Sequence, residues 1–129
     1  MIQFGIPQEK KARLILNTDA KNEVDDQFAI VHALLSEAID LRGIIAAHFG
    51  QKRTDHSEQE SYEEIRHLLR LMQLDTEPPV LHGGRHAIPD EQTPVDSQGA
   101  RFIIKEAMRD DPRPLYMNTS FRIWTRPVT

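Results

Sequence analysis

Three carboxylates within a few residues of one another are the groups most able to do chemistry in this chain. Asp19, Asp25 and Asp26 stand in Leu14-Ile15-Leu16-Asn17-Thr18-Asp19-Ala20-Lys21-Asn22-Glu23-Val24-Asp25-Asp26-Gln27, directly after an apolar run. Clustered carboxylates supply negative charge and hard oxygen donors together, which is what a calcium ion asks of its roughly six to eight ligands. A divalent ion acidifies a water molecule it holds, and a neighbouring carboxylate can then take that proton at neutral pH. Carboxylates also stabilise the oxocarbenium-like state reached when a nucleophile attacks an anomeric carbon. The bland alternative is that acids at a helix start merely cap it and answer its dipole.

A strand that hands over to a helix must position these acids. Arg13 to Thr18 is apolar enough for a strand buried on both faces. From Asp25 to about Ala38 the residues Phe28, Val31, Leu34, Leu35 and Ala38 recur at helical spacing and are expected to form its buried face. Leu41 to Ala47 reads as a second buried strand running into His48-Phe49-Gly50-Gln51. A second helix is expected from Ser57, with Tyr62, Ile65, Leu68, Leu69 and Met72 inward and a Glu- and Arg-rich face solvated. Pro78 to His82 is a short third strand closed by Gly83-Gly84. Asp96-Ser97 supplies an N-cap for a third helix carrying Phe102, Ile103 and Ala107, and a fourth strand starts at Pro114-Leu115-Tyr116-Met117.

This alternation predicts an α/β, doubly wound, Rossmann-like fold: a mostly parallel sheet with right-handed crossovers and helices on both faces. Ligands of such sheets bind beyond the carboxyl ends of the strands, where Asp19, Asp25, Asp26, Gln51 and Gly83 are all expected. Residues 1–11 read as a polar N-terminal arm, 12–117 as the α/β domain, and 118–129 as a tail that abandons the pattern. A sheet that stopped there would leave a long edge uncovered, so the domain reads as truncated, and the bare edge gives a motive for homo-oligomerisation.

Composition narrows the classes. A net charge of −4 excludes a general nucleic-acid binder, whose footprint is basic. No apolar run approaches the roughly 20 residues of a membrane span, and a cytoplasmic location is expected. Without cysteine there is no disulfide and no thiolate ligand or nucleophile. No Gly-x-Gly-x-x-Gly follows the first strand, which argues against a dinucleotide site. A phosphoacceptor receiver domain would need later Ser/Thr and Lys positions that are not evident.

Asp19 at a strand end, followed by Asn22-Glu23-Val24-Asp25-Asp26-Gln27, resembles the acidic signature of the nucleoside hydrolase family. Gly43-Ile44-Ile45-Ala46-Ala47-His48-Phe49-Gly50-Gln51 is similar to that family's second strand, with Gln51 where Asn is usual, and the likeness continues through Pro79-Val80-Leu81-His82-Gly83-Gly84. It fades after Arg113-Pro114-Leu115-Tyr116 and so covers the N-terminal portion of a family domain. The resemblance implies hydrolysis of the N-glycosidic bond of a ribonucleoside, with a calcium ion that holds the attacking water and the ribose diol. It implies Asp19 as metal ligand and general base, Asp26 as metal ligand, Asp25 as acceptor from a ribose hydroxyl, and Gln51 beside the sugar. A chain lacking the family's later half could instead be a non-catalytic remnant or binding module with a weak cation site.

Among other candidates, His82 and His86 flank the diglycine and cannot share a helical face, so they favour a loop beside the ligand over a metal site. Gly83-Gly84 has no lysine-bearing helix behind it to make a phosphate cradle. His48 closes the second strand, and its simplest reading is a strand-end histidine.

Overall fold

The structure is a computed structural model in which residues 4–74 and 76–119 are described. Four strands, β1 (Ala12–Thr18), β2 (Ile39–Ala46), β3 (Val80–His82) and β4 (Leu115–Thr119), alternate with α1 (Asp25–Leu35), α2 (Ser57–Leu71) and α3 (Gln98–Ala107). The sheet is parallel throughout, in the order β3-β2-β1-β4. The chain steps from β1 to β3 in one direction, then returns past β1 to lay down β4. That reversal is the switch in strand order beside which such folds bind ligands.

Side chains alternate across the strands and build two cores. Leu16, Ile44 and Ala46 pack with Ile30 and Ala33 of α1 and Ile65 and Leu69 of α2 on one face. Ile15, Ile45 and Leu81 pack with Phe102 and Ile103 of α3 on the other. Helices therefore cover both faces, as a doubly wound architecture requires. Among the described residues no helix is long and apolar enough to cross a membrane.

Two glycines let the layers close up. A Cβ on Gly99, in the first turn of α3, would sit 2.6 Å from Ile45 Cγ2, and one on Gly83 would sit 2.4 Å from the Ala46 carbonyl oxygen. Gly83 also donates its N–H to that carbonyl, so the first glycine of the pair serves close strand approach. Gly99→Ala would gain about 1 kcal/mol of helix propensity. The clash with a fully packed, β-branched neighbour costs more, and a net loss of about 1–2 kcal/mol is expected, read as a lower urea midpoint.

Several sequence expectations are corrected. α1 ends at Leu35 and not near Ala38, because Ser36 turns extended and its carbonyl accepts from Ile39 at the entrance to β2. Its buried residues are Asp26, Ile30 and Ala33, whereas Phe28 is 71% exposed and Leu35 70%. At about 100° per residue, Phe28 and Leu35 lie on the opposite side of the helix from that stripe. The expected break at 118 is also moved: Asn118 and Thr119 continue β4, because Leu16 and Asn17 of β1 offer them ladder partners. The rest of the expected tail, 120–129, lies outside the described residues. In the N-terminal arm, Gln8–Lys10 forms a single 3₁₀ turn.

The end of the sheet away from the acids is closed by ion pairs. Arg13 meets Glu106 at 3.5 Å and Asp111 at 3.7 Å, Arg113 meets Asp111 and Asp40 at 2.8 Å each, and Arg42 meets Asp40 at 3.4 Å and Glu106 at 3.2 Å. The charges alternate around a closed ring that ties β1 and β2 to the end of α3 and to the segment entering β4. Its hydrogen bonds to Arg113 hold the Asp111 carboxyl well below the usual carboxylate range.

Candidate functional site

β1 ends in Thr18, and Asp19 follows in a tight turn in which its carbonyl oxygen accepts from the Asn22 N–H at 2.8 Å. The Asn22 amide also donates to Asp19 Oδ2 at 3.1 Å, which fixes the carboxyl over the strand end. Asp26, in the first turn of α1, is buried and accepts from the Thr18 hydroxyl at 3.1 Å. Asp19 and Asp26 thus meet at the carboxyl end of β1, beside the switch in strand order. Burial, and then the neighbouring Asp26 carboxyl, push Asp19 up to about 6, while the bond from Asn22 opposes the shift.

Asp25 does not join this pair. Adjacent residues of a helix do not face the same way, and Asp25 is exposed at the start of α1 where a molecule arriving from solvent can meet it. Gln51 is exposed beyond the end of β2, with its Nε2 3.1 Å from His86 Nδ1. The structure therefore brings together Asp19 and Asp26 of the sequence-predicted residues and leaves Asp25 and Gln51 exposed and outside that pair.

The donors at the pair are all oxygen, which suits a hard cation such as calcium, and two carboxyls crowded enough to raise a proton affinity are what such an ion relieves. Among the described residues no group of three His, Asp or Glu side chains is arranged to hold a metal ion. Asp19 and Asp26 consequently fit as part of a coordination shell and not as a whole one.

His48 Nδ1 accepts from the Gly50 N–H at 3.3 Å, and burial followed by the nearby His86 holds its pKa below the ordinary histidine value. His82 and His86, considered together from the sequence, part company. His86 turns to Gln51, and His82 Nδ1 lies 2.9 Å from Oε1 of Glu58. The His82 ring is stacked on Tyr62 with centroids 3.8 Å apart.

Glu58 is a buried carboxylate that the sequence pattern does not single out. It stands among the glutamates of a face expected to be solvated, yet Glu58, Tyr62, Ile65 and Leu69 recur at helical spacing and share the inward side of α2. A cavity of about 510 Å³ opens beside it, with Gln51, Arg85 and His86 among its walls. A second cavity of about 300 Å³, near Asp40, Leu74 and Pro78, lies at the opposite end of the sheet from the acids.

No protein-family model, no curated protein and no solved structure matches this chain, so its own side chains carry the functional argument.

Proposed function

We propose that this chain is of nucleoside hydrolase type and cleaves N-glycosidic bonds of ribonucleosides or related glycosides at the carboxyl end of β1. The observation that carries the reading is the Asp19–Asp26 pair, buried at the switch in strand order, with the Asp19 carboxyl poised at about 6. A carboxyl so poised is ionised at neutral pH yet more basic than an ordinary one, which suits it to take a proton from water. Asp26, held by Thr18, is the second carboxyl of the site, and an oxocarbenium-like state gains from a carboxylate beside it. In this reading the exposed Asp25 accepts from a sugar hydroxyl, and Gln51, whose amide meets His86, stands beside the sugar. When bound, calcium supplies charge neutralisation between the two carboxyls and a more acidic water.

Release of free ribose from uridine and inosine, followed by reducing-sugar assay with calcium and again with excess chelator, tests the proposal. Turnover that needs calcium and falls at least about a hundredfold in Asp26→Ala supports it. No ribose at high protein concentration would sink it.

A second reading is favoured by the incomplete ligand set among the described residues. In it the chain is a non-catalytic binding module with a weak cation site. Calorimetric titration showing calcium binding without any ribose release selects that reading.

A further inference from the structure

We propose that two copies of this chain associate edge to edge, β4 of one pairing antiparallel with β4 of the other so that their sheets join into one. Among the described residues β3 and β4 are the two edges of the sheet, and they are built differently.

The β3 edge is guarded. It is three residues long. The flanking Pro79 carbonyl accepts from Ile44 of β2 and the Gly83 N–H donates to Ala46, so the backbone groups of Val80 and His82 point out of the sheet. The outward N–H of His82 is taken by Gln98 Oε1 at 2.9 Å, from the start of α3. A short strand with an occupied donor offers a second chain little to pair with.

The β4 edge is not guarded. Its five residues, Leu-Tyr-Met-Asn-Thr, include no charge and no proline, and their register with β1 runs without a bulge. Charges, prolines and bulges are the means by which natural edges refuse a partner. Arg13 donates its N–H to the Pro114 carbonyl, and a parallel ladder alternates from there. Tyr116 and Asn118 therefore turn their backbone groups to β1, while Leu115, Met117 and Thr119 turn theirs to the open side.

That outward row is complementary to itself. A twofold axis through Met117, normal to the sheet, sets Met117 opposite its own copy and Leu115 opposite Thr119 of the second copy. Each such pair exchanges both of its N–H···O bonds. Tyr116 is 58% exposed in the row of Leu14 on the α1 side, and Met117 is 49% exposed in the row of Ile15 on the α3 side. In the dimer Met117 packs on its counterpart, and Tyr116 lies beside Asn118 of the second copy and within diagonal reach of its tyrosine. Because β4 carries no charged side chain, the axis sets no like charges opposite one another. A second copy is present wherever the edge is, and it brings the matching row. A single strand about 17 Å long covers less than the roughly 800 Å² per partner of a standard interface. Association is therefore reversible, with a dissociation constant of about 0.01–1 mM.

Sedimentation velocity on the whole chain, from about 5 µM to about 1 mM, tests the pairing. The mass should climb toward that of a dimer as concentration rises. Met117→Pro should hold it at the monomer value, since the N–H lost there points away from β1 and the ladder with β1 is kept. Phe28→Ser, on the exposed side of α1, should leave association unchanged. Circular dichroism checks folding, and if Met117→Pro is unfolded a cross-link decides. The chain has no cysteine of its own. Opposed Cα atoms about 5.5 Å apart lie within disulfide reach, so mild oxidation should link Met117→Cys at least about tenfold faster than Phe28→Cys. A monomer at every concentration overturns the inference, as it would if residues 120–129 covered the edge. Association that survives Met117→Pro or is lost in Phe28→Ser, or linking at position 117 no faster than at 28, overturns it too. The pairing stands or falls independently of any glycosidic activity.

Discussion

Replacing Asp19 with asparagine is expected to cut ribose release about a thousandfold and, at the same time, to stabilise the protein at pH 7 by on the order of 2 kcal/mol. Activity is expected to fall because, on the proposed reading, Asp19 is the proton acceptor. Stability rises because burial and the neighbouring Asp26 push the Asp19 carboxyl up to about 6. In the unfolded chain the same group titrates near ~4. Between those values the folded protein binds more protons than the unfolded chain, so stability falls as pH rises through the window and stays lower above it. An asparagine escapes that penalty, and its amide oxygen can still accept from Asn22. Urea midpoints of the two proteins should therefore coincide at pH 3.5 and separate at pH 7.5. Coincidence at both would show that Asp19 carries no such strain. Calcium should reverse the order, stabilising the wild type more than the variant through linkage to the folded state.

Glu106→Gln is the change expected to weaken the fold most, by about 3 kcal/mol. Glu106 and Arg13 are each 4% exposed, so removing the carboxylate leaves the buried Arg13 guanidinium with Asp111 alone, and Arg42 with Asp40 alone, as counter-charges. Against a typical total of about 5–15 kcal/mol that is a large share. The pair itself contributes far less than its rupture costs, since both charges were desolvated to form it. The double change Arg13→Met with Glu106→Leu should therefore recover much of the loss, a coupling that a double-mutant cycle in urea would read. Simple additivity of the two single changes would contradict it. Arg109, whose side chain is half exposed beside Glu106, should cost less than about 1 kcal/mol when cut to alanine.

Strand runs, crossover helices and the Ser97 cap were legible because each is written in a local period or a local hydrogen bond. Ser97 Oγ does accept from the Ala100 N–H. The inward side of α1 was not legible, because Phe28 and Leu35 outweigh Ile30 and Ala33 in apolar bulk. What decided it was Asp26, which must face Thr18 at the end of β1. Within the site, Asp19 and Asp26 could be paired from sequence because both flank a single turn between β1 and α1. Glu58 and His82 could not, since the contact joins the start of one helix to the end of a later strand. The stripe Glu58-Tyr62-Ile65-Leu69 was the available signal, and it was hidden by the other glutamates of α2. The ring of arginines and acids was still less visible, for Arg13 finds Glu106 only after the sheet has assembled.

Placing β1 between β2 and β4 also fixes an order of assembly. Every strand pair is parallel, so none can form as a hairpin, and each waits for a crossover to be made. β2 reaches β1 after one short helix, but Arg13 meets Leu115 only across nearly the whole described chain. Closing that contact carries a large loop entropy, and such non-local pairing slows folding. As the chain leaves the ribosome, β1, α1 and β2 can dock early while one edge of β1 stays open. The arrival of β4 then closes that edge, and Asp111 and Arg113, just ahead of it, complete the ring of charges in the same event. The last strand and the last ion pairs are therefore one cooperative step, and until it is taken the central strand of the sheet is also its edge.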